Sequence, residues 1–414
     1  MDASKPLKEA HPQKYYMKKL CRAIYYMGLG DCWYEKTERS RIHKVLYAIW
    51  AITINGYIIL NTLNEVLANF RSDLTVKEKN DLLQFTFAHS CLTAKYVCLV
   101  LQKNRIRALF ERLLEGSRTV YVSPEVDKKS VGKALSYAKM LIIATFFTIF
   151  LAFADGVRSY IKEGIPIRTE VVFYPTRFHS GLYINIIRII VELHWWCIVT
   201  NMLLVHFLSL FSMVYVRHKF TMVNMYFKIL RNNIKKNTHR RDVDVAKEFE
   251  KDFVVGIKFH EDTLWCAKNV QYALGNVYSV QVLESIALLV MCLVKLATLE
   301  LNLTFTVANI EYILGLLIVT SVYFAAAGDI TYEACEVSTS IFQCGWELVP
   351  LGRLRTLVVV AIQRSQVPVI MTAFGVLMLS HNNFISVSIH HRVSKPNSMV
   401  YIFYNSLAVQ RMRS

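Results

Sequence analysis

The chain has 414 residues, 54% hydrophobic and 19% charged, with a formal net charge of +17 and a mean hydropathy of +0.32. Ordinary globular chains carry about 45–50% apolar and about 25% charged residues, so a soluble domain array is disfavoured, and 23 Phe, 22 Tyr and 6 Trp exclude a disordered chain. The composition fits an all-α polytopic membrane protein.

Residues 1–44 are polar and basic, without a short apolar core and cleavage site, and no signal peptide is expected there. Apolar spans follow at about 45–67, 82–102, 135–155, 182–214, 279–299 and 305–327, with a weaker seventh inside 370–410. Each is near the roughly 20 residues needed to cross about 30 Å of hydrocarbon. The fourth is too long for a plain crossing and is expected to tilt or project into water. Residues 45–327 are read as a six-helix ligand-binding region, 328–369 as a cytoplasmic anchor region, and 370–414 as a last helix with a short tail.

The basic residues divide unevenly between the two sets of connections. Segments 1–44, 103–134, 215–278 and 328–369 carry 33 Lys and Arg, while 68–81, 156–181, 300–304 and the tail after 410 carry 9. The positive-inside rule then places the N-terminus in the cytoplasm and the C-terminus outside. A seven-span G-protein-coupled receptor has the opposite topology. The chain also lacks Asp-Arg-Tyr after the third span and Asn-Pro-x-x-Tyr in the seventh. The same topology argument reads the positive charge as a membrane feature and not as a nucleic-acid surface. In the large loop 215–278, Val245, Phe249, Phe253 and Ile257 recur at helical spacing, so the flanking helices are expected to continue beyond the membrane and pack there.

Motifs for catalysis are absent: no GxSxG, HExxH, P-loop or GxGxxG occurs. The nine Cys form no CxxC pair, and neither a metal site nor a cofactor is expected. Ionisable residues at membrane depth are costly and mark structure or function. Lys95 and Lys295 are read as snorkelling, and Arg188 and Glu192 as an i,i+4 pair. Phe146, Phe150 and Phe153 fall on one face of the third span. With Phe85 and His89 of the second, Tyr183 and Ile187 of the fourth and Tyr312 of the sixth, they form a candidate small-molecule site in the outer half. Core packing or lipid contact explains each of them equally simply.

The C-terminal region carries the most specific pattern. It runs Leu354-Arg355-Thr356-Leu357, an apolar stretch, Arg364-Ser365-Gln366-Val367-Pro368, Thr372-Ala373-Phe374-Gly375, Leu379-Ser380 with Phe384, and Tyr404 through Gln410. In order and spacing this resembles the insect odorant receptor family. Tyr332-Glu333 and Trp346 fit the same pattern. Phe374 stands where glycine is common, and 20 positions separate Phe384 from Tyr404, more than the family pattern has. The resemblance implies a subunit of an odorant-gated, non-selective cation channel in the plasma membrane of olfactory sensory neurons. It implies a tetramer with a shared co-receptor subunit, a volatile apolar ligand, and a last helix lining the pore with Tyr404, Leu407 as a constriction and Gln410 near the outer mouth. A gustatory receptor is the nearest alternative, and a transporter or metabotropic receptor a more distant one.

Overall fold

The computed structural model describes residues 11–30, 39–114, 120–121, 123–163, 171–176, 178–236, 242–298, 303–349 and 354–383. These form helices α1 (Pro12–Tyr26), α2 (Arg41–Ala68), α3 (Val76–Leu101), α4 (Lys103–Leu114), α5 (Pro124–Glu163), α6 (Leu182–Lys236), α7 (Asp242–Thr298), α8 (Leu303–Phe342) and α9 (Leu354–Ser365). Helices α2, α3, α5, α6, α7 and α8 correspond to the first six predicted spans. Of these, α2, α5, α6, α7 and α8 are each long and apolar enough to cross a membrane. Gln84, His89 and Lys95 dilute the apolarity of α3. Of the segment read as the last helix, 370–414, residues 370–380 are not helical and the part beyond Asn383, with the seventh span, lies outside the described residues.

The fourth span does project. At 55 residues, α6 is about 80 Å long, more than twice a hydrocarbon core. The 57-residue α7 matches it. Beyond residue 214 the two pack through Phe227, Phe249, Phe253 and Phe259, all buried. The end of the bundle where α6 hands over to α7 is called lower here, and the opposite end upper.

Side-chain pairs fix the helix directions. Gln84 meets Cys292 while Lys95 meets Glu284, so α3 and α7 run antiparallel. Thr148 meets Glu311 and Lys133 meets Asp329, so α5 and α8 do likewise. His206 with Tyr323 and Arg217 with Glu333 set α6 and α8 parallel. Helix α6 is the axle of the bundle, and residues Val205 through Val216 are mostly buried despite including His206, Ser209 and Ser212. The serine hydroxyls donate to the carbonyls of Val205 and Leu208 one turn back, which removes their cost in an apolar interior.

Each end is tied by polar contacts. At the lower end, Asp262 accepts from both Arg112 and Lys219, and Arg112 also lies 4.3 Å over the Trp265 ring. Asp329 accepts from Lys133 and lies 3.7 Å from Arg217 and 3.4 Å from His381. At the upper end, Thr75 and Glu78 close a capping box at the start of α3. The strap 171–176 crosses the α2–α3 turn. The amide of Asn64 donates to the Tyr174 carbonyl (2.8 Å) and accepts from its N–H (3.0 Å), and Arg71 donates to the Val172 carbonyl at 2.6 Å.

One element has no counterpart in the sequence reading. Thr372–Ala373 and Leu377–Met378 form a two-stranded antiparallel hairpin docked on α7. Gln271 bonds both the carbonyl and the N–H of Thr372, and the Phe374 N–H donates to Ser279 Oγ at 2.7 Å. Residues 374–376 connect the strands, the Val376 N–H donates to the Ala373 carbonyl at 3.2 Å, and the two central residues of that turn, Phe374 (φ 55°) and Gly375 (φ 70°), are both left-handed. A positive φ at both central residues of a β-turn is strained for any residue with a Cβ, which gives the physical reason a glycine is the easier residue at position 374.

Candidate ligand-binding site

Three polar groupings interrupt the apolar interior. The highest joins α2, α3 and α6. His89 Nδ1 lies 2.6 Å from Glu65 Oε2, and the His89 ring packs edge-on against His194 and beside Phe85. His194 is fully buried, with Tyr57 against its ring and Thr62 Oγ1 at 3.5 Å. A second grouping sits deeper, between α3, α7 and α8. Lys95, 1% exposed, donates to both Glu284 and Gln281. Gln281 passes a bond to Ser285, which also accepts from Thr320 at 2.9 Å. His206 Nδ1 and Tyr323 Oη lie 2.9 Å apart on the same side of the core, with the Tyr278 ring packed on Tyr323.

The third grouping lies on the α5–α8 seam, where the Thr148 hydroxyl donates to Glu311 at 2.7 Å. Lower on this seam a cavity of about 320 Å³ opens, lined by Tyr137, Met140, Ser321, Val322, Phe324, Ala325 and His381. Through His381 it adjoins the end of the described residues.

These pairings revise two sequence readings. Lys95 does not snorkel; it is buried between two acceptors. Lys295 bonds Asp81 across the α3–α7 contact. Arg188 donates to Asn185 and to the carbonyls of Thr176 and His179, holding the segment that leads into α6.

The candidate site residues fall into two sets. Phe85, Ile187 and Tyr312 are half-buried, and His89 is buried. Phe146, Phe150 and Phe153 are 53%, 63% and 54% exposed, and Tyr183 72%, on the outer surface of the single chain. The phenylalanine stripe is roughly 160° around α5 from Thr148, so Thr148 faces α8 while the stripe faces away. Tyr404, Leu407 and Gln410 lie outside the described residues. Among the described residues, no three His, Cys, Asp or Glu side chains converge as a metal site.

At membrane depth the residues singled out from sequence are Lys95, Arg188, Glu192 and Lys295, but not Glu65, Glu284 and Glu311. Their positions within the first, fifth and sixth spans were the available signal, since acids at that depth need partners as much as cations do.

The 7tm odorant receptor family model matches residues 75–388. The chain belongs to that family. The odorant receptor fold extends beyond the matched region: the insect olfactory receptor OR5 of Machilis hrabei, solved in complex with eugenol, superposes with a TM-score of 0.74 over 96% of this chain and 99% of that one, at 11% identity. A second structure of the same receptor gives 0.74 over 97% of this chain and 99% of that one, at 12% identity. No curated relative matches the chain in sequence. As an odorant receptor the chain is of a receptor kind, and its membrane-spanning helices make it a multi-pass membrane protein.

Proposed function

We propose that the chain is the ligand-selective subunit of an odorant-gated, non-selective cation channel, assembled with the odorant receptor co-receptor in the plasma membrane of olfactory neurons. The observation that carries this reading is the family match over residues 75–388, with a fold shared along nearly the whole chain. The lower end is cytoplasmic in this reading. Support comes from charge: segments 1–44, 103–134 and 215–278, which hold most of the 33 Lys and Arg on one set of connections, gather around the lower end through α1, α4 and the α6–α7 turn.

The ligand is a volatile, mostly apolar molecule, in keeping with the eugenol bound by the Machilis receptor. It dissolves in the bilayer and approaches across the Phe146, Phe150 and Phe153 face and Tyr183, whose exposure suits contact with acyl chains. It binds among Phe85, His89, Ile187 and Tyr312 in the outer half. Apolar burial at about 25 cal/mol per Å² supplies most of its affinity. Binding opens the pore only to the extent that the open state binds the ligand better. The route to the pore is α8: Asp329 on α8 meets His381 at the start of the last helix, so a shift of α8 against α5 reaches the segment carrying Tyr404, Leu407 and Gln410. Exposed Leu357, Val359 and Val360 on α9 suit packing against neighbouring subunits in the anchor region.

Whole-cell recording under a panel of volatiles, with Phe150→Ala beside the wild type, tests the reading. Weakened responses at unchanged surface delivery are expected. Full sensitivity of the variant would remove the phenylalanine face from the ligand's path.

A further inference from the structure

Among the described residues, three acids at or near membrane depth each meet a basic side chain. Glu284 pairs with Lys95, Asp81 with Lys295, and Glu65 with His89. Glu311 is just as buried, at 8% exposure. Among the described residues, however, it meets no cation. Its hydrogen-bond partner is the neutral Thr148 hydroxyl, and the single proton of that hydroxyl is shared with the Ala144 carbonyl at 3.0 Å. A carboxylate in an apolar seam is expensive unless it is paired and fully hydrogen-bonded. Ionised, it is an acceptor only, and one shared hydroxyl leaves most of its capacity unused.

Space adjoins it. Gly315 lies one turn along the same face of α8 (i,i+4 from Glu311). A Cβ built there would meet Thr148 Oγ1 at 3.8 Å and nothing else within 4 Å. The half-buried Tyr312, adjacent in sequence, is among the residues of the proposed odorant site.

We propose that Glu311 is the specificity-determining residue of the odorant site and selects volatiles with a hydrogen-bond donor, a hydroxyl or an amine, over volatiles with acceptors alone. This rests on the odorant-site reading above and names its ligand class. A hydroxyl or amine donates to Glu311 and completes its shell, and such charge-assisted bonds are the stronger kind. An ether, ester or ketone of the same size sets a lone pair against the carboxylate and leaves it unsatisfied.

The test uses the full-length chain purified in detergent micelles, with binding read as a ligand-dependent rise in Tm. The probes are a phenylalkyl alcohol, the matching amine and the matching methyl ether. In the wild type, the alcohol and the amine bind at least about tenfold tighter than the ether, the size of one charge-assisted hydrogen bond. Glu311→Leu removes that preference with ether binding little changed. Glu311→Gln keeps the alcohol, through its amide oxygen, and loses the amine; it also serves if Glu311→Leu fails to fold. Equal binding of alcohol and ether by the wild type, an unchanged preference in a folded Glu311 variant, or no stabilisation by any probe overturns the proposal. Donor selectivity in binding without any evoked current would count against the channel reading and leave Glu311 in place. Evoked current without the selectivity would do the reverse.

Discussion

Lys95 and Glu284 are buried together inside the bundle, with side-chain exposures of 1% and 9%. Removing one partner strands the other in an apolar interior, which costs about 3–5 kcal/mol; replacing both by apolar residues of similar volume is often neutral or stabilising. Lys95→Met leaves both Glu284 and the Gln281 carbonyl without their donor. It is therefore expected at the upper part of that range. Glu284→Met strands the ammonium, which keeps only Gln281. The double variant Lys95→Met/Glu284→Met is expected to recover at least about 3 kcal/mol relative to the sum of the single losses. That is more than a hundredfold in the unfolding equilibrium. The assay is equilibrium unfolding in mixed micelles, run as a double-mutant cycle. Losses that add within about 0.5 kcal/mol would mean that the two side chains act independently, and the reasoning about paired membrane-depth charges would fail.

Three further outcomes follow from the same contacts. Asp262→Asn strands Lys219, whose side chain is 2% exposed, and should cost about 3 kcal/mol, whereas Arg112→Ala, at a 42% exposed side chain, should cost under about 1 kcal/mol; unfolding midpoints compare the two. Burial lowers both His218 and His260 to about 4; Arg217 and Lys133 add to the effect at His218, against the Val214 carbonyl and Asp329, and Arg364 adds to it at His260. The unfolded chain then binds more protons between pH 4 and 6.5, so stability is full above 6.5 and falls as pH drops toward 4; His260→Phe should reduce that slope by about one proton in pH-dependent melts, and an unchanged slope would exclude the assignment. Thr75→Ala opens the capping box at the start of α3 and should cost about 1 kcal/mol, seen as faster amide exchange in residues 76–79.

The helices were legible because burial in lipid demands long apolar runs, and α6 stood out by its length alone. What linear sequence could not show is which polar residues meet. Lys95 and Glu284 are 189 positions apart, and Lys295 and Asp81 are 214 apart. No periodicity along one helix predicts such pairs; the antiparallel packing of α3 on α7 creates them. Arg188 and Glu192 show the converse, since proximity on one helix suggested a pair and Arg188 is instead taken up by backbone carbonyls of the preceding segment. The hairpin at 372–378 is hidden in the sequence because its connection is Phe374-Gly375-Val376, without the Asn-Gly or Asp-Gly signal, and because side chains of α7 supply its anchoring bonds. The spacing of Phe146, Phe150 and Phe153 identifies a face of α5 but not which neighbour that face meets.

Whole-cell current evoked by a volatile panel, recorded with and without the odorant receptor co-receptor, tests the central claim most directly. The account predicts a fast, non-selective cation current that requires co-expression. Surface-delivered protein that gives no current in either condition, or slow signals that depend on second messengers, would contradict it.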